Sequence, residues 1–323
     1  MSGLQEPPTR DQPSRVVVRI LMLVVLVLAA GLTVWTSVTN QRIDLIEDVP
    51  AREIELIDFT MVGNLRINVV TEPGGVVPVI LLHDRDVAGG VTLDDVAGGL
   101  EGRFQAVRLD LPGYGLSDRL PSEGLGHTVA SMAQVVSAVI EERFAIPVVI
   151  AGVGFGGRVA AEVAVSSPDL VRGVVLIDVD FWEEDGWIER IERLPWVGRA
   201  VTFSFETGGR FAMDMWAPNC AEGGWCPRQN QIAARGITTT IRGSTDSIRS
   251  SLRTQPSSLV PSDLAKIVAP VAYVWSRDGD VPFDSVERVK KELPNMTVTE
   301  VDAWQAHLES PGAVIDAIDM VGR

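Results

Sequence analysis

Short apolar runs recur along most of the chain. Two early ones, Glu53–Met61 and Leu65–Val70, predict paired strands joined by a turn at Gly63 and Asn64. The later runs are mostly uninterrupted, which is typical of parallel strands covered on both faces. These predicted strands are Val77–His83, Phe104–Leu109, Pro147–Ala151, Val171–Asp178, Val271–Trp275 and Thr297–Val301.

Segments with helical periodicity lie between these strands, and the alternation predicts a mostly parallel sheet with helices on both faces. The predicted helices are Thr128–Arg143, Phe155–Val165, Ser285–Leu293 and Pro311–Val321. From about residue 181 to 262 no strand is indicated, and five of the eight tryptophans fall there, at positions 182, 187, 196, 216 and 225. The pattern therefore predicts one α/β domain, residues 52–323, with a helical insertion.

The first 51 residues are organised differently. Residues 1–15 are polar and contain three prolines, which is typical of a disordered tail. Residues 16–39 are mostly apolar and uncharged apart from Arg19, and a helix of about 17–25 such residues crosses a bilayer. An acidic linker follows at 40–51. The sequence therefore predicts a membrane-anchored domain.

The charges around the apolar run predict its orientation. Arg10, Arg15 and Arg19 stand at its N-terminal end, so the positive-inside rule places the N-terminus in the cytoplasm and the main domain outside. A cleaved signal peptide is the alternative, since small residues such as Gly31 could form a cleavage site. The run continues past Gly31, and its length favours a single-pass anchor.

Composition narrows the possible partners. The formal net charge is −15, and with only three lysines the chain lacks the basic surface that nucleic-acid binding needs. Cys220 and Cys226 lie in one glycine-rich loop, where an oxidising compartment favours a disulfide over two free thiols. Two cysteines with no histidine nearby make an incomplete zinc site. We predict no metal and no cofactor.

Five motifs, in order along the chain, resemble those of the α/β-hydrolase family. They are the strand end at His83-Asp84, Asp110–Asp118 (DLPGYGLSD), Gly152–Gly157 (GVGFGG), Val274–Pro282 and His307–Pro311. Over about residues 50–323 the resemblance implies the α/β-hydrolase fold: about eight strands, mostly parallel. It also implies that the insertion at about 181–262 is a lid.

The resemblance implies a catalytic triad that this sequence does not complete. In the family the elbow G-x-S-x-G carries the nucleophile, and Gly154 stands at the position of that serine. Trp304 stands at the position of the catalytic histidine, and an indole cannot accept a proton. Asp278 matches the acid, with Asp180 as a less favoured alternative. No catalytic triad is intact.

The predicted oxyanion hole is also altered. Its donors would be backbone N–H groups of Phe155 and of the loop after His83. Asp84 and Asp86 place negative charge where negative charge must develop, which opposes catalysis. We therefore predict a pocket lined by His83, Asp84, Gly154, Phe155 and Trp304 in a protein without hydrolase chemistry.

The sequence leaves two alternatives open. One is an active hydrolase or lyase of non-standard mechanism, with His83, Asp278 and a bound water, while His307 is expected to be a packing residue. The other is a dinucleotide-binding protein, because Gly152–Gly157 satisfies G-x-G-x-x-G and is followed by Asp178 and Asp180. The leading hypothesis is an inactive hydrolase relative that binds a hydrophobic or acyl ligand, or a protein partner, at the outer membrane face.

Overall fold

The structure is a computed structural model that describes residues 15–120, 126–182, 186–208, 217, 220–253 and 261–323. The chain divides into two units, Met1–Arg42 and Ile43–Arg323. Most of the predicted tail, together with Trp216, lies outside the described residues, as does the side chain of Trp187.

The N-terminal helix runs from Arg15 to Ile46 and has the length and composition to cross a membrane over Val16–Ile46. Its apolar side chains from Val16 to Leu28 are exposed, which is costly in water and favourable in lipid. The helix is longer than predicted, because residues 40–46 continue it instead of forming a linker. A polar segment extends a helix at no penalty once the preceding turns are formed.

An eight-stranded sheet with the order β1-β2-β4-β3-β5-β6-β7-β8 forms the core of the main unit. β1 and β2 are antiparallel to each other, β2 is antiparallel to β4, and all other neighbours are parallel. The strands are β1 (Phe59–Val62), β2 (Leu65–Thr71), β3 (Pro78–Leu82), β4 (Gln105–Leu109), β5 (Val148–Val153), β6 (Val171–Ile177), β7 (Val271–Ser276) and β8 (Thr297–Val301).

The central strands β3, β5 and β7 are buried along their whole length, as their apolar sequences predict. The first strand is shorter than the sequence predicts. It begins at Phe59 and not at Glu53, because Ala51–Glu53 forms a 3₁₀ turn. The turn at Gly63 is confirmed, with the left-handed φ of +59° that this tight hairpin requires.

The helices of the main unit pack against both faces of the sheet or build the insertion between β6 and β7. The α-helices of the described chain are numbered together with the N-terminal helix. They are α1 (Arg15–Ile46), α2 (Asp94–Gly99), α3 (Val129–Arg143), α4 (Gly154–Ser166), α5 (Trp187–Glu192), α6 (Val197–Thr202), α7 (Gln229–Thr240), α8 (Ser244–Arg253), α9 (Pro261–Leu264), α10 (Phe283–Glu292), α11 (Ala306–Glu309) and α12 (Pro311–Gly322). Shorter turns are a π-helix at Phe203–Thr207 and 3₁₀ helices at Gly89–Leu93, Pro168–Leu170 and Cys220–Glu222.

Glu47 and Val49, which follow α1, form a clamp with Ile241, Gly243 and Thr245 of the insertion. The buried carboxylate of Glu47 accepts hydrogen bonds from the backbone N–H of Gly243 (3.1 Å) and of Thr245 (2.8 Å). These donors lie at the start of α8, where N–H groups have no partner within the helix. Burial raises the pKa of Glu47, while the bonds from Thr245 act in the opposite direction. Val49 extends the clamp by pairing with Ile241.

Candidate functional site

The turn from β5 into α4 keeps the backbone of a nucleophile elbow. Gly154 has a φ of +47°, a left-handed conformation that is strained for any residue with a side chain. Close packing fixes the neighbouring glycines: a Cβ atom on Gly156 would lie 2.5 Å from the carbonyl oxygen of His83. The sequence predicted this turn correctly, and it brings the N-terminus of α4 against the loop that follows β3.

The carboxylate of Asp84 fills the space where the side chain of residue 154 would stand. A Cβ atom on Gly154 would lie 2.4 Å from Oδ2 of Asp84. Oδ1 of Asp84 accepts a hydrogen bond of 2.7 Å from the backbone N–H of Phe155, the first donor of the oxyanion hole. The N-terminus of α4 favours this negative charge. Asp84 therefore occupies both the nucleophile space and the hole.

Asp110 holds the loop that carries Asp84. Its Oδ1 accepts the backbone N–H of Gly90 at 2.6 Å, and its Oδ2 accepts that of Leu116 at 2.8 Å. Asn68 donates its side-chain amide to Oδ2, also at 2.8 Å. One buried carboxylate therefore joins β2, the loop after β3 and the loop after β4, which leaves the Asp84 loop little freedom.

Both ring nitrogens of His83 are already used. Nε2 accepts the backbone N–H of Leu111 at 3.0 Å, so Nδ1 carries the proton and donates it to the carbonyl oxygen of Asp84 at 2.5 Å. The residue is 0% exposed. His83 is therefore a structural residue and does not present a free nitrogen to a substrate.

Trp304 lies in the turn between β8 and α11. Its backbone N–H donates to Oε2 of Glu309 at 2.6 Å, and its side chain lines the cavity described below. Glu309 also accepts the backbone N–H of Trp225 at 3.5 Å. One carboxylate thus connects the Trp304 turn to the loop closed by the Cys220–Cys226 disulfide, which the structure contains as predicted.

His307, for which the sequence suggests a packing role, lies in the wall of the same cavity as Asp84 and Trp304. It is 4% exposed, and among the residues that the structure describes it has no hydrogen-bond partner for Nδ1. Burial lowers the pKa of His307 to about 4, against the attraction of Asp84 and Asp86. The imidazole is therefore neutral at physiological pH.

Asp178 supplies a structural brace that sequence reasoning missed. Its Oδ1 accepts the backbone N–H of Ser276 and its Oδ2 accepts the Ser276 hydroxyl, both at 2.7 Å. The backbone N–H of Ala306 adds a bond of 3.2 Å to Oδ2. Burial raises the pKa of Asp178, and Asp84 raises it further. The only sequence signal was its place at the C-terminal end of a strand next to the elbow strand.

The two acids considered from the sequence, Asp278 and Asp180, make contacts of their own. Asp278 is exposed, and its backbone N–H donates to the carbonyl oxygen of Ala303 at 3.1 Å. Oδ1 of Asp180 accepts the backbone N–H of Trp182 at 2.9 Å and so closes its own turn. No bond joins either carboxylate to Trp304 among the described residues.

A cavity of about 220 Å³ opens above the elbow, and charged side chains dominate its wall. Arg235 pairs with Asp86 at 2.6 Å and donates to the carbonyl oxygen of Glu206 at the same distance. Arg85 lies over the ring of Phe155, 4.9 Å from its centroid. The lining residues are Asp84, Arg85, Asp86, Thr92, Phe205, Glu206, Arg235, Asp280, Trp304, Gln305, His307 and Leu308. In the described parts of the chain no cluster of three metal-binding side chains occurs.

Curated relatives match part of the chain. Haloalkane dehalogenase 2 of Mycobacterium tuberculosis is 35% identical over 120 residues, which is 37% of this chain. The chain therefore spans 41% of that relative's length. The 2-(acetamidomethylene)succinate hydrolase of Mesorhizobium japonicum is 22% identical over 80% of this chain and 91% of its own.

Solved structures share the fold. A hydrolase from Pseudomonas aeruginosa superimposes with a TM-score of 0.64 and 16% identity, over 82% of this chain and 97% of the other. A thermophilic esterase from Thermogutta terrifontis superimposes with a TM-score of 0.61 and 19% identity, over 83% of this chain and 97% of the other. The model of the alpha/beta hydrolase family matches residues 79–317, most of the unit that contains the elbow. With the sheet order and the elbow geometry, this match means that the chain belongs to the alpha/beta hydrolase family.

Proposed function

We propose that this protein is a catalytically inactive α/β hydrolase that binds a ligand at the outer face of a membrane. The observation that carries the proposal is the Asp84 carboxylate on the Phe155 N–H. Acyl transfer needs that N–H for a developing oxyanion, and loss of one such donor costs about 10²–10³ in kcat. A fixed negative charge in the same place adds repulsion.

The loss of the nucleophile and of the base supports the same conclusion. Gly154 offers no attacking atom, and the Trp304 indole cannot remove a proton. Removing a triad nucleophile costs about 10⁶ in kcat even when the rest of the site is intact. With the oxyanion hole filled as well, no part of the acyl-transfer machinery remains available at this elbow.

The first prediction concerns active-site labelling. An activated serine attacks the phosphorus of a fluorophosphonate probe and expels fluoride, so the wild-type protein is expected to stay unlabelled because no serine stands at the elbow. Intact-protein mass spectrometry measures the stoichiometry, with an active esterase as the positive control. One covalent label per chain would contradict the proposed inactivity, and replacing the labelled serine would then identify the true nucleophile.

The second prediction concerns topology. We propose a single-pass anchor with a cytoplasmic N-terminus and an extracytoplasmic main unit, supported by the span Val16–Ile46, the preceding arginines and the Cys220–Cys226 disulfide. In intact cells, a protease added outside should digest the main unit, and a membrane-permeant maleimide should label the chain only after reduction. A Cys220→Ser variant gives the positive signal for a free thiol. Protease resistance together with labelling before reduction would contradict this topology.

A second candidate is a hydrolase of non-standard mechanism, favoured by the position of Asp84 Oδ2 in the nucleophile space. In this version Asp84 attacks a substrate carbon and expels its leaving group, and His307, which lines the same cavity, activates the water that hydrolyses the resulting ester. The version with His83 as base has less support, because both of its nitrogens are engaged. Sustained turnover that Asp84→Asn abolishes would favour this candidate over the inactive protein.

The dinucleotide-binding alternative has less support. Its ribose-binding acid would be Asp178 or Asp180. The Asp178 carboxylate already accepts hydrogen bonds from Ser276 of β7, and that of Asp180 closes its own turn. Its pyrophosphate would approach the N-terminus of α4, where the Asp84 carboxylate already bonds to Phe155. Saturable quenching of tryptophan emission by NAD would be the result in its favour.

The polarity and the volume of the cavity indicate which class of ligand it can hold. A hydrophobic or acyl ligand, one of the classes that the sequence suggests, needs an apolar wall, and most of the lining residues here are polar or charged. A volume of about 220 Å³ is also below the roughly 300–1,000 Å³ of pockets for drug-sized molecules. Both features favour a small polar ligand.

A further inference from the structure

The oxyanion hole has reversed its charge preference. In a working hydrolase the backbone N–H of the residue after the nucleophile donates a hydrogen bond to the oxyanion that develops on the substrate. Here Oδ1 of Asp84 takes that bond permanently, and the residue remains exposed toward the cavity. Within the described residues, no arginine or lysine forms an ion pair with Asp84. The floor of the cavity therefore carries a fixed negative charge that an incoming cation can neutralise.

The rest of the wall does not cancel this charge. Four carboxylates line the cavity against two arginines, and His307 is neutral. Arg235 is already paired with Asp86, and the guanidinium of Arg85 lies on the face of Phe155. An anionic ligand would therefore meet net repulsion, whereas a cation would meet net attraction.

His307 is the second, independent observation. A buried neutral imidazole has one nitrogen that donates and one that accepts, and leaving such groups without partners is unfavourable. His307 lines the cavity, and none of the described residues forms a hydrogen bond with its ring. An N–H donor on a ligand would give the nitrogen that carries no proton a hydrogen-bond partner.

Aromatic rings complete the surroundings. Trp304 and Phe205 both line the cavity, and the faces of such rings attract an ammonium group. Carboxylate, neutral imidazole and aromatic ring together suit a protonated amine better than a metal ion, which needs several hard or soft ligands converging on one point.

We propose that the cavity binds a small protonated amine, with the ammonium group on Asp84 and His307 and a short apolar part against Trp304. This inference rests on the proposed function, since it names the ligand class of the same inactive site. In this proposal the same Asp84 carboxylate has two effects: its negative charge repels an oxyanion and attracts a cation.

The test uses the full-length protein in detergent, with n-butylammonium chloride as the probe and tryptophan emission as the readout. Butanol and sodium butyrate are the matched neutral and anionic probes, and sodium chloride controls for ionic strength. Butylammonium should change the emission saturably, whereas the other probes should not. An Asp84→Asn variant, which keeps the shape of the side chain, should bind butylammonium at least about tenfold more weakly.

Asp169→Asn is the control variant, because Asp169 is an exposed aspartate on another part of the surface. It should leave binding unchanged. Equal binding of butyrate, or an Asp84→Asn variant with unchanged affinity, would overturn the amine site. Absence of butylammonium binding would overturn it too, while the missing fluorophosphonate label would still support inactivity. Labelling of the wild type would instead overturn the proposed function itself.

Discussion

Gly154→Ser, made alone, is expected to lower the free energy of unfolding by about 1–3 kcal/mol and to create no esterase activity. The new Cβ atom would lie 2.4 Å from Oδ2 of Asp84, so the carboxylate must move and lose its bond to Phe155. The φ of +47° adds strain for any side chain. Denaturant unfolding, followed by tryptophan emission in detergent, measures the change.

A matched control and a double variant separate the clash with Asp84 from the strain of the left-handed backbone. Gly63→Ser has a similar φ of +59° but nothing within 4 Å of the new Cβ atom, so it should cost less. Asp84→Gly removes the clash, and the double variant with Gly154→Ser should be more stable than the sum of the single effects by at least about 1 kcal/mol. Additive effects would show that the Asp84 carboxylate does not occupy this space.

Asp178→Ala is expected to cost about 3 kcal/mol, because it leaves three donors on Ser276 and Ala306 without their acceptor. Asp178 also has a φ of +48°, which an asparagine tolerates better than an alanine. Asp178→Asn should therefore cost less than Asp178→Ala. The exposed Asp169→Ala should have little effect, and an equal loss from both alanine variants would contradict the brace.

The same residue gives a pH dependence with a definite sign. Burial raises the pKa of Asp178, so the folded state holds the proton more tightly than the unfolded state. The stability that comes from this tighter proton binding is fully present below the ordinary pKa of an aspartate. It is lost as the pH rises through the raised pKa of the folded state. Wild type should therefore gain stability relative to Asp178→Asn as the pH falls from 7 toward 4. The opposite trend would contradict the raised pKa.

Much of the fold is predictable from local patterns. The short uninterrupted apolar runs of β3, β5 and β7, in alternation with helical segments, favour strands buried on both faces, and the glycines around residue 154 indicate the elbow. The first strand was misjudged because Glu53 and Ile54 alternate in polarity like a strand but belong to a turn. Periodicity cannot distinguish a short edge strand from an extended segment without partners.

The site was predictable only in part. The sequence indicates that Gly154 and Trp304 lack the needed chemistry and that Asp84 adds negative charge near the hole. It does not reveal that the Asp84 carboxylate bonds to Phe155, because Asp110 fixes that loop across residues far apart in the chain. The roles of Asp178 and His307 depend likewise on burial, which is a property of the packed structure.

The most direct test of the central claim compares two reconstructed sites. One variant combines Gly154→Ser and Trp304→His and keeps Asp84, and the other adds Asp84→Gly. If the carboxylate closes the oxyanion hole, fluorophosphonate should label only the variant that lacks it. Equal labelling of both variants would show that Asp84 does not block the site, and the account of an occupied oxyanion hole would then be wrong.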